Sequence, residues 1–138
     1  MEAKVKYVDG LQFVGEASSG HAIVMDGDTK FGGANTAVRP TELLLIGLGG
    51  CSGMDVISVL KKKKQEVKGL EINIKGRKAE SYPQKFTDIT IEFVVTGRSI
   101  SEEAVKRAVE LSMEKYCSVK ATIEGSAKIS FAYKIMEG

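Results

Sequence analysis

The sequence of 138 residues holds one histidine and two cysteines. A single histidine, His21, rules out a multi-histidine metal centre, and any Ser–His or Cys–His pair would have to use it. It opens a short apolar run beside Gly20 and reads as a surface residue. Cysteines at 51 and 117 with a histidine at 21 give too few ligands, at unhelpful spacing, for a closed zinc site, which takes four. A surplus of one charge sign is also missing: 20 basic against 18 acidic residues leave +2. With no Arg-rich face and no aromatic–basic interleaving, nothing argues for nucleic acid. The one basic run, 61–64, reads as a solvated helix end, where cations suit the dipole.

Long hydrophobic runs are scarce as well. The N-terminus MEAKVKYVDG has no signal-peptide core. The longest apolar stretch, 43–54, stops at Asp55, short of the ~20 residues that span a bilayer. The expectation is a soluble cytoplasmic protein, in which a permanent disulfide is uncommon. GLGG at 47–50 follows a helix start rather than a strand, so it is neither a P-loop nor a dinucleotide fingerprint.

What is present is enough for one domain over 1–138: 43% of residues are hydrophobic and 28% charged. Residues 3–8 and 11–17 alternate weakly about Asp9-Gly10, a hairpin signal, and 21–25 add a third strand. FGGANTAVRP (31–40) reads as a loop whose proline can open a helix. Residues 1–38 are therefore N-terminal strands and loop, and 39–64 a central helix. Its first half has no polar face and should be buried on all sides. Gly69 should mark its end. Residues 70–138 then supply strands at 70–77 and 86–96, a second helix, the Cys117 segment and a last strand at 127–134. Ile89, Ile91 and Phe93 share one strand face. Ser99, with Glu102 three residues on, fits a capping box, though Ser101 can also cap. Ala104, Val105, Ala108, Val109, Ser112 and Tyr116 share one helical face. Strands grouped with two helices give an α+β class with mainly antiparallel sheet.

Four glycines, 47, 49, 50 and 53, crowd around Cys51 in GLGGCSGMDVISVL. Glycine costs about 1 kcal/mol against alanine within a helix, so something must approach closely there, a second helix or a substrate. A cysteine in an apolar helix is ordinarily an inert small hydrophobe. Two such thiols that meet in space can instead reduce a peroxide: one becomes a sulfenic acid and the other condenses with it. The attacking thiolate needs a cation nearby; Arg39 is the natural candidate, with Lys30 behind it.

RPTELLLIGLGGCSGMDVISVLKKK (39–63) and EKYCSVKATI (114–123) resemble the two cysteine motifs of the OsmC/Ohr family of hydroperoxide-reducing proteins, in the same order along the chain. The resemblance implies an intertwined α+β homodimer with antiparallel sheets around a buried Cys-bearing helix. It implies Cys51 as peroxidatic and Cys117 as resolving cysteine, Arg39 as the stabilising cation and Glu42 as its orienting carboxylate. It also implies a hydroperoxide substrate, an external dithiol reductant, and no metal, haem or flavin cofactor. Thr41 stands where well-characterised members carry Glu, and no Arg precedes Arg39. That departure supports the alternative of an OsmC-fold binding or redox-sensing protein without efficient turnover. Leu44, Leu48, Met54 and Tyr116 are the expected apolar lining.

Overall fold

A computed structural model describes all residues 1–138. They form two compact units, Met1–Leu44 and Leu45–Gly138.

The first unit is an antiparallel sheet in the order β1 (Ala3–Asp9), β2 (Gln12–Ala17), β3 (Ala22–Met25). The expected hairpin closes with Asp9 opposite Gln12. Tyr7 faces Phe13 in register, their ring centroids 5.4 Å apart and tilted by 60°, a favourable aromatic cross-strand pair. The loop after β3 is organised by one buried carboxylate. Asp26 accepts bonds from the Thr36 hydroxyl (2.6 Å) and from the backbone N–H groups of Gly27, Ala34 and Thr36. These bonds, the Thr36 hydroxyl first, hold its carboxyl at about 2. His21 is exposed, as expected.

Helix α1 (Pro40–Lys62) begins at the proline, where a missing N–H costs nothing. In the second unit β4 (Glu66–Lys78) pairs antiparallel with β5 (Phe86–Arg98), and β6 (Lys128–Glu137) pairs with β5 in parallel. The parallel pair follows from a helical crossover between β5 and β6. Ile89, Ile91, Phe93 and Val95 on β5 are buried together with Leu48, Val56 and Leu60 of α1 and Ala104, Val105, Ala108 and Val109 of α2 (Glu102–Leu111). Burying each of the larger of these side chains is worth about 1.5–3 kcal/mol, whereas an exposed ion pair such as Arg77–Asp88 is worth about 0–1 kcal/mol. The core therefore decides the fold.

Four expectations need correction. α1 is not buried on all sides within the chain: Leu48, Gly49, Ser52, Val56 and Leu60 form one buried stripe, while Leu44, Ile46 and Met54 are 46%, 54% and 74% exposed. By length and composition this helix could also cross a bilayer, with a mean hydropathy of 1.9 over its apolar window. The cap of α2 is Ser101, whose hydroxyl accepts the Ala104 N–H at 3.2 Å, whereas Ser99 has φ +51° and makes no box. The helix expected to run on to Tyr116 stops at Leu111. It continues as a π turn, Ser112–Tyr116, followed by a short helix α3 (Ser118–Ile123).

Gly69 does not end α1. It sits in β4 at a register shift, and the stop is a Schellman motif at Lys64. Gln65 N–H bonds the Leu60 carbonyl and Lys64 N–H the Lys61 carbonyl, both at 3.0 Å. Lys64 adopts φ +56°, a conformation that penalises a side chain. Lys64→Gly is therefore expected to stabilise the fold by about 1 kcal/mol, read as a higher midpoint in urea at unchanged slope.

Candidate functional site

The glycines around Cys51 divide by direction. A Cβ on Gly49 would lie 2.8 Å from Ile74 Cδ1, and one on Gly53 would lie 2.8 Å from Ile72 Cδ1. These two, one helical turn apart, let α1 settle onto β4. Gly47 and Gly50 have nothing within 4 Å. Within the chain, then, the close approach is helix to sheet.

Cys51 stands half-buried on α1, and Cys117 is buried at the end of the π turn. Cys117 donates its own N–H to the Ser112 carbonyl at 2.8 Å, which closes that turn. Its backbone is then extended, and its Sγ caps α3 by accepting the Lys120 N–H at 3.4 Å. The extra residue of a π turn thus delivers this side chain toward α1. Sixty-six positions apart in sequence, the two sulfurs and a carboxylate oxygen of Asp55 all lie within 4.8 Å of one another. Both thiols are free. Burial pushes the Cys117 thiol up to about 11. The Lys120 N–H opposes the rise and the neighbouring Cys51 thiol adds to it.

Asp55 was not among the expected site residues. The signal was there: an acid at i+4 from Cys51, on the same face of an apolar helix. Its Oδ2 accepts the Ser112 hydroxyl at 2.9 Å, and that hydroxyl also lies 3.4 Å from the Ser52 carbonyl. Ser52 in turn donates to the Leu48 carbonyl at 2.8 Å. Asp55, beside the thiols, is thus held in a network anchored on both α1 and the π turn.

Arg39 and Glu42 belong to the first unit. The Glu42 carboxylate accepts the Arg39 backbone N–H at 2.7 Å, the return bond of a capping box at the start of α1. The Arg39 guanidinium donates to Asn35 Oδ1 (2.8 Å) and the Ala37 carbonyl (3.0 Å), with Asp28 at 4.0 Å. Glu42 therefore fixes Arg39 through its backbone. Of the expected lining, Leu48 is fully buried in the core, whereas Leu44, Met54 and Tyr116 are exposed.

The fold and the two cysteine segments define a class. The chain belongs to the OsmC-like protein family, whose model matches residues 32–132. Protein YhfA of Escherichia coli K12 is 43% identical over 136 residues, covering 99% of this chain and 98% of that protein. The crystal structure of a hypothetical protein from Aquifex aeolicus VF5 is 37% identical and superposes with a TM-score of 0.81 over 98% of this chain and 96% of that one. A Legionella pneumophila structure titled as an organic hydroperoxide resistance protein OsmC, predicted redox protein and regulator of sulfide bond formation shares the fold, at 16% identity and a TM-score of 0.72 over 96% of this chain and 95% of that one.

The difference between the two thiols has a direct readout. An alkylating reagent at pH 8 is expected to modify Cys51 first. Modification of Cys117 should be slow and should quicken about tenfold per pH unit toward pH 11, as its thiolate fraction rises. Peptide mass spectrometry across a pH series measures both; equal rates at pH 8 would contradict the assignment.

Proposed function

We propose that this protein reduces organic or other hydroperoxides through a thiol–disulfide cycle of Cys51 and Cys117. The observation that carries this reading is that the two sulfurs lie within 4.8 Å of each other. Cys51 is the more exposed thiol and is the attacking one. Its thiolate takes the distal peroxide oxygen; the O–O bond breaks and the alcohol leaves with a proton, giving a Cys51 sulfenic acid. Cys117, held as a thiol by burial, then attacks that sulfur. Water leaves and a disulfide forms, with the sulfurs closing to about 2.05 Å. An external dithiol returns both thiols by exchange. Arg39 is the proposed cation for the thiolate, and Glu42 holds the turn that presents it.

Support also comes from the family. The Legionella relative is described as an organic hydroperoxide resistance protein. The departures at Thr41 and before Arg39 keep a redox-sensing role as the second reading, and the same experiment separates the two. Reduced protein treated with cumene hydroperoxide is expected to lose two thiols per chain. Cys51→Ser should lose none, and Cys117→Ser should stop at a trappable sulfenic acid. Arg39→Ala should slow the loss by about 10- to 100-fold, on the scale of a removed charge-assisted contact. Unchanged thiols in the wild type refute the cycle. Loss without turnover by any dithiol selects sensing.

The working unit is proposed to be a homodimer and the compartment the cytoplasm. In the first unit Val5, Tyr7, Ile23 and Val24 are exposed, and in the second Ile46 and Met54 are. So much apolar surface calls for a cover, and a second copy is the expected one. Light scattering should give twice the chain mass, and Met54→Glu should return it to one; a wild-type monomer at tens of micromolar overturns the dimer.

A further inference from the structure

We infer that Cys51, Asp55 and Cys117 form a three-ligand site for a thiophilic divalent cation of the zinc class. The inference does not rest on any peroxide chemistry the thiols perform. Two sulfurs and a carboxylate oxygen already lie within 4.8 Å of one another. Around a tetrahedral zinc ion, with bonds of about 2.3 Å to sulfur and about 2.0–2.2 Å to oxygen, the sulfurs would stand roughly 3.8 Å apart. The donors therefore need only close slightly. The cation is of the zinc class because two sulfurs and one carboxylate suit a borderline-soft ion and are a poor match for magnesium or calcium, which take oxygen.

Two of the three donors are also already oriented from behind. Ser112 donates its hydroxyl to Oδ2 of Asp55 at 2.9 Å, leaving Oδ1 for a ligand bond, and Lys120 donates its N–H to Cys117 Sγ at 3.4 Å. Hydrogen bonds of this kind set the direction of metal ligands. The charge pattern points the same way. Ionised, the three groups carry three negative charges, and Asp55 takes part in no ion pair with Lys, Arg or His. A divalent cation held among them would offset that charge. Cys51 and Asp55 are one turn apart on α1 and half-buried, so an arriving ion has access from their side.

Binding is a proton exchange without electron transfer. The aqua ion gives up all but one of its waters and the two thiols release two protons. Two S–metal bonds and one O–metal bond form, and the fourth position keeps water. Coordinated sulfurs cannot join as a disulfide, so the same ion would hold the pair reduced and silent until a chelator removes it.

The test uses full-length reduced protein stripped with a chelator, and cobalt(II) and zinc(II) as probes. Cobalt is expected to bind at one per chain with near-ultraviolet thiolate-to-metal charge-transfer bands, and zinc to bleach them. Cys51→Ser and Cys117→Ser should each keep about half of the band intensity. Asp55→Asn, which is isosteric, should weaken zinc at least tenfold in a competition with a chromophoric chelator, and Ser112→Ala about tenfold, with thermal unfolding checked for each. Absence of thiolate bands, half a cobalt per chain, or wild-type affinity in Asp55→Asn would each overturn the site. A final arm, zinc suppression of hydroperoxide consumption relieved by chelator, rests on the peroxidase reading. If consumption is absent while the cobalt bands are present, that reading fails and the metal site stands.

Discussion

Helix α1 lies so near β4 that at two of its positions a side chain would have to push an isoleucine tip aside. Gly49 and Gly53 meet Ile74 and Ile72 where a Cβ would stand 2.8 Å from each isoleucine tip. Beside this contact one stripe, Leu48, Ser52, Val56 and Leu60, is completely buried. Cys51 and Asp55 then fall on the shoulder of the stripe, half-covered, one turn apart. A helix standing off the sheet by the width of a methyl group would be free to roll, and the thiol's neighbours would no longer be set. The helix-propensity cost of those glycines is thus the cost of aiming a cysteine.

The partner thiol is aimed by a different device. An ordinary α-helix through 112–117 would carry Cys117 about 100° further around the axis per residue, with no reason to stop. The Cys117 N–H reaches back five residues instead, to Ser112, and the chain breaks into an extended step before α3. Ser112 then serves twice: its carbonyl closes the π turn and its hydroxyl holds Asp55 on the opposite helix. A single buried serine so ties the segment bearing one cysteine to the helix bearing the other. Its own polar atoms are all satisfied, as those of a buried group must be.

Period-two alternation located the strands, and proline with a following apolar run located α1, because those signals are local. The antiparallel hairpin at Asp9 and the shared face of Ile89, Ile91 and Phe93 are of this kind. What escaped is what depends on distant partners. The end of α1 is carried by Lys64 in a left-handed conformation that sequence statistics assign to glycine, so Gly69 drew the reading instead. The π turn follows from the fit of Ser112 against α1, which no window of sequence contains. In sequence Asp55 reads only as the residue that ends an apolar run. Its placement at i+4 from Cys51 was readable on a helical wheel, but its closeness to Cys117 comes from the fold.

Asp55 also sharpens what the two thiols can be. A carboxylate oxygen within 4.8 Å of both sulfurs sets a hard donor beside two soft ones, a combination that suits a borderline-soft divalent cation. The Arg39 guanidinium is held within the first unit by Asn35, the Ala37 carbonyl and Asp28. In the two proposed roles the demands on the sulfurs differ: peroxide reduction needs them to join as a disulfide, and metal binding needs both as thiolate ligands. Which of the two the thiols serve at a given moment becomes a matter of competition for the same pair of sulfur atoms.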